Sequence, residues 1–313
     1  MLPSSERRQS SQHNRRFPFL IPTSISNPQS SVLPQRRPLP HTPTSMVGTM
    51  QYVFAASGMT CEVPGADSSR TIFKGLRFAI ERGEIVDLVG PSGSGKSSLL
   101  TAFAQLNPHA HGSMELEGRP ASEFTPQQWR SQVAYLPQKA LLTGSTVAEA
   151  IRLPWTLRIR NTTGTSRPSR LSRLFSRQSP AAQAKALLPS ERIRATLDSI
   201  GCEDIDLDRA PHDLSGGQAA RVSLACTLLT EPKVLLADEV DAGLDDENAE
   251  KVAAIMAQYA DRGMSIVRIR HRPPDGRASR IVALDGGVLT ETYANSQKIS
   301  QSNNREDGQE ARA

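Results

Sequence analysis

Apolar residues change their period repeatedly along this chain, and each change marks an element. From Gly58 to Ile80 the pattern predicts two strands joined by the turn-like Pro64-Gly65-Ala66-Asp67-Ser68-Ser69. Glu84 to Val89 reads as a buried strand interrupted only by Asp87, and Ser97 to Leu106 as a helix. Gly112 to Gly118 is a short strand between glycines, and Val133 to Gln138 is another that ends on Gln138. Helical spacing returns over 146–153 and 190–200, separated by an Arg-, Ser- and Pro-rich stretch at 160–180 that reads as a surface insertion. After Gly217 a helix places Val222, Ala225 and Cys226 on one apolar stripe. Lys233 to Glu239 is a nearly continuous apolar run closed by two acids, as expected of a central parallel strand whose carboxyl end faces a site. Glu247 to Tyr259 then reads as a helix, Ser265 to Ile269 as a strand, and Ile281 to Thr290 as a hairpin turning at Asp285-Gly286-Gly287. Strands alternating with helices predict an α/β fold.

Composition narrows this picture. At 313 residues, 37% hydrophobic and 22% charged, the chain can build one α/β domain with polar appendages. No run approaches the roughly 18 apolar residues that a membrane span needs, so a membrane task would require a partner. Cys61, Cys202 and Cys226 are far apart and lack metal spacing, which fits reduced thiols of an intracellular protein. The net charge of +5 is unevenly placed. Residues 1–50 hold six arginines and eight prolines against the single acid Glu6, and residues 150–190 hold seven arginines and Lys185 with no acid. The first segment reads as a disordered tail. Its Arg- and Ser-rich, acid-poor character also resembles an organelle (mitochondrial) targeting segment, although its prolines oppose the amphipathic helix of such peptides. Met46 and Met50 offer a third reading, an over-extended start. The expected organisation is a tail at 1–50, a domain at 51–294 with a helical subdomain at about 139–214, and a polar tail at 295–313.

The candidate chemistry begins at Gly90-Pro91-Ser92-Gly93-Ser94-Gly95-Lys96-Ser97, which satisfies the phosphate-loop pattern between a strand and a helix, with Ser98 following. Glycines let successive N–H groups point at phosphates, Lys96 neutralises their charge, and the Ser97 hydroxyl is a Mg²⁺ ligand. Asp238 at a strand end is the second metal candidate, and Glu239 the general base for an attacking water. Gln138 offers an amide oxygen to the metal or the water, and His271, after its strand, a contact to the γ-phosphate. Ser215, Gly216, Gly217 and Gln218 open a helix and form a second anion site.

In this order, GPSGSGKS, Gln138, LSGGQ, the run ending Asp238-Glu239, Gly243-Leu244-Asp245 and His271 resemble an ABC-transporter ATPase over roughly 57–292. The resemblance implies a P-loop NTPase core with a mostly parallel central sheet, a small antiparallel β subdomain and an inserted α-helical subdomain. It implies ATP with Mg²⁺ and transport-coupled hydrolysis. It also implies a head-to-tail pairing, as homodimer or with a second cassette, in which each ATP lies between one phosphate loop and the other copy's LSGGQ. Gln138 would begin the segment that meets a multi-span membrane permease, placing the protein on a membrane periphery, and Asp245 would couple the two sites. A narrower phrase, Thr146 to Asn161, is similar to the ATPase of a bacterial iron-export ABC system; the plainer account is that Pro154 and Trp155 end a helix and fill an apolar gap.

Departures from the family pattern bear on chemistry. Val63 stands where an adenine-stacking ring is usual, with Tyr52 and Phe54 as displaced candidates. Val240 and Asp241 replace the commoner Pro-Thr, adding a carboxylate near the metal, and a buried Asp87 without a partner would cost stability. The rival reading is a soluble, non-transport ABC ATPase acting on ribosomes or nucleic acid. It has only the basic segments for support, since aromatic residues are 4% and do not interleave with them, so no specific nucleic acid is expected. A GTPase or small-molecule kinase would share the loop but has no need of LSGGQ.

Overall fold

The computed structural model describes residues 52–65, 69–157 and 179–293. The expected tails, nearly all of the 160–180 insertion and the tip of the first turn lie outside the described residues. The first half contains β1 (Tyr52–Val63), β2 (Arg70–Glu81), β3 (Ile85–Val89), α1 (Lys96–Phe103), β4 (Ala110–Leu116), β5 (Arg119–Pro120), α2 (Pro126–Gln132) and β6 (Val133–Leu136). There follow α3 (Val147–Thr156), α4 (Pro180–Leu187), α5 (Ser190–Asp198), α6 (Gly216–Leu229), β7 (Val234–Asp238), α7 (Asp246–Asp261), β8 (Ser265–Ile269), β9 (Arg280–Asp285) and β10 (Val288–Tyr293).

These form an α/β fold with two sheets. One is four-stranded and antiparallel in the order β2-β1-β4-β5; the other is six-stranded in the order β10-β9-β3-β8-β7-β6, parallel throughout except for β10. Alternation along the parallel strands divides the interior. Val86, Leu88, Val234, Leu236 and Val267 pack with α1 and the antiparallel sheet, around a cluster in which Phe54, Phe78, Phe103 and Trp129 meet ring to ring. Ile85, Leu235, Ala237 and Ile266 face the other way, onto α6 and α7 and the helical layer of Ile151, Trp155, Leu188, Ile193 and Leu197.

Differences from the predicted elements have local causes. α1 stops at Phe103, short of the expected Leu106, because Gln105 turns to φ 54, which no helix tolerates. β6 ends at Leu136 because Pro137 has no N–H for a ladder, leaving Gln138 in the loop beyond. α2 was not expected, yet Thr125 and Gln128 form a reciprocal capping box with Pro126 at the first helical position. α4 begins inside what reads as insertion, capped by the Ser179 side chain. α3 runs past the expected residue 153, with Pro154 in its last turn and the buried Trp155 in the helical core. Among the described residues no helix is long and apolar enough to cross a membrane.

Candidate functional site

Four neighbouring parallel strands point their carboxyl ends to one edge of the sheet: β3 into the Gly90 loop, β6 toward Gln138, β7 into Asp238-Glu239 and β8 into His271. Two glycines of the loop, Gly90 and Gly95, have no room for side chains, while Gly93 is open but turns at φ 77. A Cβ on Gly90 would stand 2.2 Å from the Leu284 carbonyl oxygen and one on Gly95 2.4 Å from Ile72 Cγ2, both at positive φ. Lys96 opens α1 and folds back, its Nζ donating to the carbonyls of Gly90 at 2.9 Å and Pro91 at 3.0 Å. It is buried, and among the described residues no carboxylate pairs with it. Ser94 Oγ is buried without a hydrogen-bond partner, Ser97 is exposed, and Ser98 lies in the first turn of α1. Pro91, Ser92 and Gly93 form the exposed rim. A buried cation lacking a carboxylate, an unpartnered hydroxyl and a cradle closed to side chains fit a bound phosphate chain.

Next to the loop the acids are held individually. Asp238 is buried and its Oδ2 accepts a 2.8 Å bond from the Tyr135 hydroxyl. Burial, and then that bond, push the Tyr135 phenol well above its ordinary range, so it stays a donor. Glu239 adopts φ 50, a left-handed conformation that costs a β-carbon residue about 1 kcal/mol and that its surroundings must enforce. Its Oε2 accepts from Gln138 Nε2 at 2.6 Å, and its Oε1 lies 2.6 Å from His271 Nε2, which a carboxylate accepts only from a protonated nitrogen. Gln138, Glu239 and His271 thus form one cluster, in which Gln138 uses its amide nitrogen and not its oxygen.

The second group lies on the helical layer. Ser215 caps α6, its hydroxyl accepting from the Gln218 N–H at 3.2 Å while Gln218 Oε1 accepts from the Ser215 N–H at 3.0 Å. Gln218 Nε2 also donates to Asp204 at 2.9 Å, and Gly216 and Gly217 form the first turn. Arg221, one turn on, is buried and donates to the carbonyl of Gly201 and to Asn248 Oδ1. Asn248 in turn donates its backbone and side-chain N–H groups to Asp245 at 2.8 and 2.7 Å, which holds the Asp245 carboxyl below the usual range. Asp245 is therefore the cap of α7, and the loop it ends runs between the two groups.

Two sequence expectations are corrected, and the condition set on Asp87, a partner, is met. Phe54 is 1% exposed, packed among Phe78, Phe103 and Trp129, so it offers no face to adenine. Asp241 does not add a carboxylate beside the metal: it is buried, and its Oδ2 accepts from Arg270 Nε at 2.9 Å. Asp87 does have a partner, Arg268 on the adjacent strand, at 2.6 Å. Tyr135, Arg221, Asn248, Arg270 and Arg272 escaped the sequence reading. Asp245-x-x-Asn248 is a legible capping pattern, but the others show only once distant segments meet.

With this geometry in hand, the comparison with known proteins is decisive: the ABC transporter family profile matches residues 73–242, more than half of the chain. The chain belongs to the ABC transporter family. It is an ABC ATPase cassette, and the nucleotide of such cassettes is ATP, taken with Mg²⁺. The macrolide export ATP-binding/permease protein MacB of Escherichia coli is 29% identical over 270 residues, covering 81% of this chain and 38% of MacB. MacB of Salmonella typhimurium is 31% identical over 245 residues, covering 76% of this chain and 34% of its own. The cassette therefore spans little more than a third of these curated relatives. Among solved structures, a dimeric post-hydrolysis state of the ATP-binding cassette MJ0796 bound to ADP and Pi matches with a TM-score of 0.60 at 22% identity, over 77% of this chain and 98% of that one. The cbiO1 protein of Clostridium perfringens, part of the ABC transporter complex cbiONQ, matches with a TM-score of 0.60 at 20% identity, over 82% and 94%. At such identities these two structures support the fold.

Proposed function

We propose that this cassette is the energy-supplying subunit of a transporter, pairing with a second cassette and acting on a separate multi-span permease at a membrane periphery. The observation that carries the reading is the Gln138–Glu239–His271 cluster at the sheet edge beside the phosphate loop. Lys96 and the loop N–H groups hold the triphosphate, and Ser97, Asp238 and Gln138 would hold Mg²⁺, which would supply neutralisation of phosphate charge. Glu239 takes the proton of the attacking water, and His271 fixes the carboxylate and reaches toward the γ-phosphate. The Ser215–Gln218 turn, with its N–H groups at a helix N-terminus, serves the nucleotide of the partner cassette, and Asp245 couples the pair.

For cargo, the Thr146–Asn161 phrase supports a metal ion, iron, moved outward or into a compartment. Within that phrase the burial of Trp155 is accounted for by packing, so the cargo reading rests on the remaining residues.

Two measurements test this function. Glu239→Gln should retain ATP binding, accumulate an ATP-bound dimer and lose about 100-fold or more in hydrolysis; turnover at the wild-type rate removes Glu239 as the base. Membrane extraction of the full chain should bring down a multi-span protein, and a cassette that always purifies alone would count against transport.

A further inference from the structure

Two positions that depart from the family pattern, Asp87 and Asp241, prove to be the ends of one buried chain of charges. Asp87 on β3 pairs with Arg268 Nε at 2.6 Å, Arg268 Nη2 with Asp275 at 2.7 Å and Arg270 Nε with Asp241 at 2.9 Å; between them Asp275 Oδ2 lies 2.9 Å from Arg270 Nη1, a charge contact without hydrogen-bond geometry. None of these side chains is more than 10% exposed. The chain of charges crosses the face of the sheet covered by α7, from the strand that feeds the phosphate loop to the turn that follows Glu239.

The turn is gripped by three consecutive residues. Arg270 holds the Asp241 side chain, and His271 meets the Glu239 carboxylate. Arg272 donates to the carbonyls of Asp241, at 3.4 Å, and Leu244, and to Asp246 Oδ1 at 2.6 Å. Glu239 at φ 50 is the strained residue of this turn, and such a conformation persists only where its surroundings over-determine it. A buried ion pair is weak evidence for stability, since desolvation offsets much of the attraction. Its value lies in geometry.

We propose that Arg270 and Asp241 are positioning residues for ATP hydrolysis: their buried pair, continued through Asp275 and Arg268 to Asp87, locks the Glu239–Asp246 turn in register with the phosphate loop. Both side chains are no more than 10% exposed and act through Glu239 and Asp245. The inference rests on the hydrolytic role of Glu239 above.

The test uses the full-length chain and compares Asp241→Asn, Arg270→Gln and the double variant for thermal midpoint, KM for ATP and kcat, with Glu239→Gln as the blank. Asp241→Asn keeps the size of the side chain and should lower kcat about ten-fold with KM changed less than about two-fold, the mark of lost positioning. Arg270→Gln strands the buried Asp241 carboxylate, whereas Asp275 keeps Arg268, and should lower the midpoint as well; the double variant should regain midpoint while kcat stays low. The proposal is overturned if Asp241→Asn keeps wild-type kcat, if the loss falls in KM alone, or if kcat recovers along with the midpoint in the double variant. Should Asp241→Asn not fold, Arg272→Gln, which frees the same turn from a more exposed position, decides by the same kcat and KM criteria. A wild-type rate no higher than the blank would instead refute the hydrolytic role itself.

Discussion

The phosphate-loop edge and the LSGGQ corner are built on opposite plans. At the edge, side chains from four strands converge, and each reactive group is held by another: Asp238 by Tyr135, Glu239 by Gln138 and His271, Lys96 by the loop's own carbonyls. At the corner, Ser215 and Gln218 satisfy each other within one helical turn, and the connection outward passes through Arg221 and Asn248 to Asp245. The first plan suits chemistry, which needs several groups in fixed register. The second suits a surface that presents N–H groups to something from outside, and it leaves the corner dependent on one buried arginine.

The contrast can be broken most severely at Lys96. Lys96→Ala should weaken ATP binding on the order of 1,000-fold, because it removes the buried cation of the cradle, and calorimetric titration of the full chain would show it. Arg221→Met should leave that affinity within about two-fold but destabilise the fold by about 3 kcal/mol, since the carbonyl of Gly201 and the Asn248 amide lose their donor; urea unfolding measures this. A comparable loss in ATP affinity from Arg221→Met would erase the distinction between the two regions.

A smaller effect is expected in alkali. Burial pushes the Cys202 thiol, on the corner side, from 9.0 to about 11. A raised folded pKa means that this stability is fully present below pH 9 and is lost as pH rises through about 11. The amount is roughly 2–3 kcal/mol, and Cys202→Ala should flatten that part of the stability profile. Smallest is Ser215→Ala, which should cost about 1 kcal/mol of stability through the lost cap and leave ATP binding by dilute protein unchanged.

The same contrast governs how far the sequence could be read. Residues whose role is set by their own neighbours were legible: the glycines of the loop, Lys96 at the start of α1, the Ser215 cap and the hairpin turn at Gly286-Gly287 all follow from local backbone demands. Element ends were less so, because a single residue such as Gln105 at positive φ stops a helix that composition would continue. Least legible were contacts between distant segments. Asp87 meets Arg268 across 181 positions and Tyr135 meets Asp238 across 103, so Asp87 looked like a cost and Tyr135 like an ordinary strand residue. Phe54 misled for a related reason: aromatic character marks both a stacking platform and a core, and only its packing against Phe103 and Trp129 decides.

The backbone oxygen of Leu284 occupies the space a side chain on Gly90 would need, and Gly287 of the same hairpin packs against the Ile72 carbonyl, its Cβ position 3.2 Å away. The last hairpin is thus the doorstep on which the nucleotide cradle rests. Adding or deleting a single residue between Asp285 and Val288 would shift that doorstep and reach ATP without altering any residue that touches it, so the spacing there is under tighter constraint than the side chains.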